Sequence, residues 1–157
     1  MMKKWQPTLM IWVMLAGLAL MLAACGASGA PSAAGGDAAQ QTQKVSAPGG
    51  GSYTDVNAAG LAAMLENKDF PLINVHIPYE GELERTDLFI PYNEIKQHLD
   101  QLPSDKNARI VLYCRSGRMS TEAAQVLAGL GYTDVWNLDG GMIEWKQAGY
   151  AVLDKPQ

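Results

Sequence analysis

Residues 109–114 read Arg-Ile-Val-Leu-Tyr-Cys, and Arg-Ser-Gly-Arg and a helical pattern follow at once. An apolar run of this kind, without polar alternation, is a strand covered on both faces, the situation of a parallel sheet flanked by helices. Ligands in such sheets sit beyond the carboxyl ends of the strands. Cys114 stands at that position. This one segment therefore constrains both the fold and the place where chemistry would occur.

The surrounding chain agrees with an alternation of strands and helices. Asn57 suits the cap of a helix that carries Leu61, Met64 and Leu65 on one face. Pro71-Leu-Ile-Asn-Val-His76 reads as a strand. Residues 77–92 are broken by Pro78, Gly81 and Pro91 and read as irregular. Asn93 suits the cap of a second helix with Ile95, Leu99 and Leu102 on its apolar face. Residues 103–107 are a turn. A third helix is expected over Ser120–Leu130, with Gly131 just past its end. A strand over Thr133–Leu138 and a short helix opened by Gly140-Gly141 and closed by Gly149 complete the pattern. The expected class is α/β, a small parallel sheet with helices on both faces. No internal repeat is visible.

The beginning of the chain has a different composition. Lys3 and Lys4 precede an uncharged apolar run, Leu9 to Ala24, that ends in Leu22-Ala23-Ala24-Cys25. The run is short for a membrane span, which needs about 20 residues, and suits an export signal. With its terminal cysteine it resembles a bacterial lipoprotein signal. The resemblance implies cleavage after residue 24 and lipidation of Cys25, and hence a domain outside the cytoplasm, anchored to a membrane (cell surface or periplasm). Removal of residues 1–24 takes two lysines with it and leaves a net charge of −6. Electrostatic attraction to anionic lipid is then no anchor, whereas acyl chains are, at about 0.8 kcal/mol per buried CH₂. Residues 26–52 are almost all Gly, Ala, Ser, Pro and Gln, with one Asp and one Lys. Such a stretch cannot bury a core and is expected to be a disordered linker. The resulting division is 1–24 signal, 25–52 lipidated cysteine and linker, and 53–157 folded domain.

Charge and cysteine count exclude several classes. Of 157 residues, 12 are basic and 16 acidic, with no basic block, so a nucleic-acid partner is not expected. Two cysteines, Cys25 and Cys114, can form neither a disulfide framework nor a four-thiolate zinc site. His76 and His98 have no metal spacing to an acidic partner; His98 is expected on the surface of its helix, and His76 at the rim of the site or in a structural hydrogen bond. Glu80, Glu82 and Glu84 read as a solvated loop, and Trp136 and Trp145 as core residues.

Three effects converge on Cys114. Successive N–H groups of a tight loop form a nest for an anion. The following helix points its positive end at that loop. Arg115 and Arg118 add two of the four arginines in the chain. All three favour thiolate over thiol. Gly117 allows positive φ or a close backbone approach, and Ser120 suits the cap of the helix.

The segment Cys114-Arg-Ser-Gly-Arg-Met-Ser120 resembles the active-site loop of single-domain rhodaneses, the thiosulfate sulfurtransferases, and Asn137-Leu-Asp-Gly-Gly-Met-Ile-Glu-Trp145 resembles the Gly-Gly and tryptophan pattern after the last strand of that family. The likeness is strong over 109–149 and weak before it. It implies that the Cys114 thiolate takes the outer sulfur of an anionic donor such as thiosulfate and passes it, as a persulfide, to a thiol or cyanide. The loop residues Arg115, Ser116, Gly117, Arg118, Met119 and Ser120 would bind the donor. Neither metal nor cofactor is implied, and a monomer is the default. Two departures stand out. Where the family has an Asp-Val-Arg-like strand end, this chain has Asn74-Val75-His76, so that one charge pair is missing. Where the family has Gly-His-Ile-Pro, this chain reads Thr86-Asp-Leu-Phe-Ile-Pro91. Residues 77–90 are therefore expected to be restructured, near the pocket mouth, where they would shape acceptor choice.

Two other classes remain in play. A phosphatase or arsenate reductase would place its arginine at the seventh loop position, which here is Ser120. A persulfide carrier, or a binding module with weak turnover, would keep the loop and differ in its surroundings.

Overall fold

The computed structural model describes residues 41–154. The expected signal, Cys25 and the first part of the linker lie outside the described residues. Among the described residues no helix is long and apolar enough to cross a membrane.

The strands are β1 (Thr42–Ser46), β2 (Ser52–Val56), β3 (Leu72–Asn74), β4 (Glu82–Leu83), β5 (Leu88–Phe89), β6 (Ile110–Tyr113), β7 (Val135–Leu138) and β8 (Val152–Leu153). The α-helices are α1 (Ala58–Glu66), α2 (Arg118–Gly129) and α3 (Gly141–Gln147). A six-stranded sheet has the order β1-β2-β7-β6-β3-β5, and β4 pairs with β8 apart from it. β2, β7, β6, β3 and β5 run parallel, and β1 joins the edge antiparallel to β2.

Side-chain alternation along the central strands divides the core. Ile110, Leu112 and Cys114 point to the face covered by α2, where Ala123, Ala124 and Leu127 let the helix approach closely. Val111 and Tyr113 point to the opposite face, against Leu61 and Leu65 of α1 and Met142 and Trp145 of α3. All four residues of β6 are fully buried, as an apolar run of that type requires. The fold class is the expected one: a mostly parallel sheet with helices on both faces.

Three expectations need correction. The last part of the stretch read as linker is folded: Thr42–Ser46 forms β1, and Ala47–Gly51 turns it back onto β2, with Ala47 N donating to Gly51 O (3.1 Å). β1 was illegible because it holds on by backbone pairing to an edge, with four of its five side chains exposed. The glycines that read as flexible form the turn. Gly51 has φ +76°, and a Cβ there would stand 2.7 Å from Ala128 O at the end of α2. The second expected α-helix is a pair of 3-10 segments, Tyr92–Gln97 and Leu99–Gln101, which still bury Ile95. Asn93 lies inside the first segment and Pro91 precedes it without a side-chain cap. Finally, α2 begins at Arg118, two residues before the expected start, and Gly117 in the left-handed region stands where Ser120 was expected to cap.

The remaining helix signals hold. Asn57 Oδ1 accepts from Gly60 N (2.8 Å) and caps α1. Gly131, φ +90°, follows the end of α2.

Candidate active site

The site is built on the carboxyl end of β6. Cys114 closes the strand at 1% exposure. Arg115-Ser-Gly117 turns the chain, and α2 starts immediately. The first backbone hydrogen bond of that helix runs from Thr121 N to Gly117 O (2.9 Å). The N–H groups of Arg118, Met119 and Ser120 thus precede the helical ladder and have no partner within it. Unpaired N–H groups at a helix start are the donors from which an anion nest is built.

Two glycine contacts fix the loop. Gly117 has φ +85°, and a Cβ there would meet Gly140 N at 3.1 Å. Gly141 is more constrained still: at φ +60° its Cβ would lie 2.3 Å from Cys114 O and 2.7 Å from Arg115 C. That contact exists because α3 presents its first N–H groups to the loop. Met142 N donates to Cys114 O (2.9 Å) and Ile143 N to Arg115 O (3.0 Å). In sequence Gly140-Gly141 mark a helix start; the structure gives them a second duty, seating the loop.

Ser120 is fully buried. Its Oγ lies 3.4 Å from Cys114 Sγ and donates to Gly117 O (3.0 Å). A hydroxyl has one proton. With the thiol, that proton stays on the Gly117 carbonyl; with a thiolate, it turns to the sulfur. Ser120 therefore stands beside the sulfur, with its hydroxyl shared between Cys114 Sγ and the Gly117 carbonyl, rather than capping the helix. Met119 packs its side chain against the core and offers the nest only its backbone. Ser116 is exposed.

The arginines are exposed and each meets a carboxylate. Arg118 Nη1 lies 2.7 Å from Glu122 Oε1, one turn along α2. Arg115 Nε lies 3.2 Å from Glu80 Oε2. Glu80, expected in a solvated loop, is instead tied to the loop of the cysteine, although it remains 42% exposed. The other oxygen of the same carboxylate stands 3.6 Å from His76 Nε2, too far for a hydrogen bond. The His76 ring is buried, and among the described residues neither nitrogen has a hydrogen-bond partner. His98, by contrast, is partly exposed at the junction of the two 3-10 segments and bonds Gln101 (3.0 Å).

The segment after β3 is held by side chains. Asn74 Nδ2 donates to Gly81 O (2.9 Å), and its Oδ1 accepts from His76 N (3.0 Å). Asn74 thus fastens the strand end without the charge pair expected at such a place. Tyr113, on the far face of β6, reaches under the same segment: its hydroxyl accepts from Leu83 N (3.0 Å) and donates to Thr86 Oγ1 (2.7 Å), which itself donates to Leu83 O (2.7 Å). Burial holds the Tyr113 hydroxyl well above the usual phenol range, so it stays protonated. A groove of about 590 Å³ lies between the start of α1 and one side of α3, lined by residues that include Asn57, Asp139, Glu144 and Gln147. Cys114 does not line it.

The family model of the Rhodanese-like domain matches residues 59–148. The chain belongs to the rhodanese-like family. Among curated relatives, it is 36% identical over 70 residues to thiosulfate sulfurtransferase PspE of Escherichia coli strain K12, covering 43% of this chain and 67% of that protein. It is 30% identical over 103 residues to a sulfurtransferase of Allochromatium vinosum, covering 63% of this chain and 94% of that one. It also matches tRNA uridine(34) hydroxylase of Erwinia tasmaniensis at 32% identity over 96 residues, but spans only 27% of the length of that protein. Among solved structures, a rhodanese-related protein of Thermoplasma volcanium superposes with a TM-score of 0.54 at 25% identity, covering 63% of this chain and 96% of that one. The rhodanese-like fold thus accounts for the loop at the end of β6, and sulfurtransferases are among the relatives of this chain.

Proposed function

We propose that the protein is a sulfurtransferase that moves a sulfane sulfur from an anionic donor, such as thiosulfate, to a thiol or cyanide by way of a Cys114 persulfide. The observation that carries this reading is the buried sulfur of Cys114 at the open start of α2, with the Ser120 hydroxyl 3.4 Å away. The thiolate attacks the outer sulfur of thiosulfate; an S–S bond forms on Cys114, the donor's S–S bond breaks, and sulfite leaves with the electron pair. An acceptor thiolate then attacks the outer persulfide sulfur and regenerates the Cys114 thiolate. This is covalent catalysis in two half-reactions. The nest N–H groups stabilise the anionic sulfur in both, and Arg115 and Arg118 hold the sulfonate end of the donor.

Within this proposal the protein works outside the cytoplasm as a monomer, held at a membrane through lipid on Cys25. Labelled fatty acid incorporated by cells into the full chain, and not into Cys25→Ser, tests that part. A persulfide carrier with little turnover is the second reading. The Arg115–Glu80 pair favours it, because a donor must compete for that arginine.

The deciding experiment uses the full chain carrying Cys25→Ser, reduced, mixed with thiosulfate and weighed. A gain of about 32 Da, lost on adding cyanide and absent in Cys114→Ser, is expected. No gain with thiosulfate would overturn the reading. A gain without steady-state turnover would favour the carrier.

A further inference from the structure

We propose that Glu80 is a resident carboxylate in an anion subsite formed by Arg115 and His76, and that it sets the donor specificity of the site. The inference rests on the sulfurtransferase reading above and adds to it a pair of residues outside the loop.

Glu80 offers one oxygen to Arg115 Nε at 3.2 Å and the other to His76 Nε2 at 3.6 Å. The two groups that flank this carboxylate come from neighbouring strand ends. β3 and β6 run parallel with Asn74 beside Tyr113, which brings His76 level with Arg115. The His76 side chain is 8% exposed, and both ring nitrogens lack a hydrogen-bond partner among the described residues. A buried polar ring without a partner is costly unless something else satisfies it. Glu80 comes nearest and remains too far away. The Asn74 side chain, which could have served the ring, is committed to Gly81 O and to the backbone of His76.

A guanidinium and an imidazole flanking one carboxylate are the contacts that an oxyanion also requires. An incoming sulfonate must therefore displace Glu80 and take over Arg115, and it gains a second donor in the His76 ring. A small dianion compensates for the lost ion pair better than a monoanion, and a neutral sulfur donor gains nothing by displacing it. Glu80 thus filters donors by charge while leaving the nest around Cys114 untouched.

Sulfate tests this without turnover, because it has the donor's shape and no sulfur to transfer. The full chain with Cys25→Ser is compared with the same chain carrying Glu80→Gln or Glu84→Gln. Glu84 is exposed on the same segment, so its variant removes the same charge from the same loop. Sulfate affinity is read from protection of Cys114 against iodoacetamide and from the imidazole resonances of His76. Glu80→Gln is expected to bind sulfate about tenfold more tightly, with Glu84→Gln unchanged and the His76 resonances shifting as sulfate binds. Equal affinity in Glu80→Gln and the parent, or an equal gain in Glu84→Gln, would overturn the role of Glu80. A tighter complex with static His76 resonances would remove His76 from the subsite. Because persulfide formation is measured separately, tightened sulfate binding in a chain that never gains sulfur would sink the sulfurtransferase reading and leave the subsite standing.

Discussion

The two walls around Cys114 are held in different ways. The loop from Cys114 to Gly117 is fixed by backbone: carbonyls to the start of α3, a glycine pressed against a glycine, and a helix that begins at once. The segment from His76 to Ile90 has only the short backbone pairings of β4 with β8 and β5 with β3, and leans in addition on particular side chains, chiefly Asn74, Thr86, Asp87 and Tyr113. Backbone seating tolerates few sequences, because only glycine fits where a Cβ would collide. Side-chain seating tolerates many, because any suitable donor or acceptor can replace another. Under the proposed function, the reacting sulfur is thus set in the backbone-seated wall, and donor selection lies with the other.

The sharpest way to break this comparison is Gly141→Ala. The new Cβ meets Cys114 O and Arg115 C inside contact distance, at a φ that disfavours any side chain. A loss of about 3 kcal/mol in unfolding free energy is expected, together with loss of persulfide formation. A variant that melts like the parent would show that the loop is not seated by backbone.

Tyr113→Phe probes the other wall. It removes the acceptor of Leu83 N in a buried place, which costs about 2 kcal/mol. Denaturant unfolding should record that loss while the rate of Cys114 alkylation stays near that of the parent. An equally large change at Cys114 would mean that the walls are not independent.

Ser120→Ala is expected to be milder on stability and specific in chemistry. Losing the one hydroxyl beside the sulfur should slow persulfide formation about tenfold, the worth of one hydrogen bond to an anion. Stopped-flow measurement at saturating donor checks it; an unchanged rate would assign Ser120 to the Gly117 carbonyl alone.

The smallest effect concerns a side-chain tie on the side of the loop. Asn137 Nδ2 donates to Asp55 Oδ1 (2.7 Å) and reaches Thr121 in α2 (3.2 Å). Burial raises the Asp55 carboxyl above its usual range, against the opposing Asn137 bond. The folded chain therefore holds this proton more tightly than the unfolded one. That contribution is full in acid and is lost as pH rises through the raised value. Asp55→Asn should be slightly more stable than the parent near neutrality, with the difference closing in acid. Thermal melts at the two pH values decide it, and a gap that widens in acid would refute the sign.

What the sequence made legible follows the same division. Burial on both faces wrote β6 as an apolar run, and the glycines and arginines after Cys114 marked the loop and the helix start. β1 left no such trace, since its five residues bury almost nothing and pair through the backbone. The 3-10 segments kept the apolar spacing of Ile95, Leu99 and Leu102 but not the helix type, and the backbone leaves helical geometry at His98, φ −118°, between the two. The alternating acidic residues of 80–84 looked solvated, yet Glu80 found Arg115 across 35 positions of sequence, a pairing that no local pattern announces.

The seat under the loop has an electrical consequence. The carbonyls of Cys114 and Arg115 are pulled on by Met142 N and Ile143 N. Each carbonyl belongs to the same peptide unit as the next N–H, so drawing electron density toward the oxygen leaves the N–H of Arg115 and Ser116 more strongly polarised. The positive end of α3 is thereby relayed through two amide groups into the loop that carries the sulfur. A helix joined to the loop through its carbonyls thereby makes the loop's own amides stronger donors toward any anion that the proposed reaction brings there.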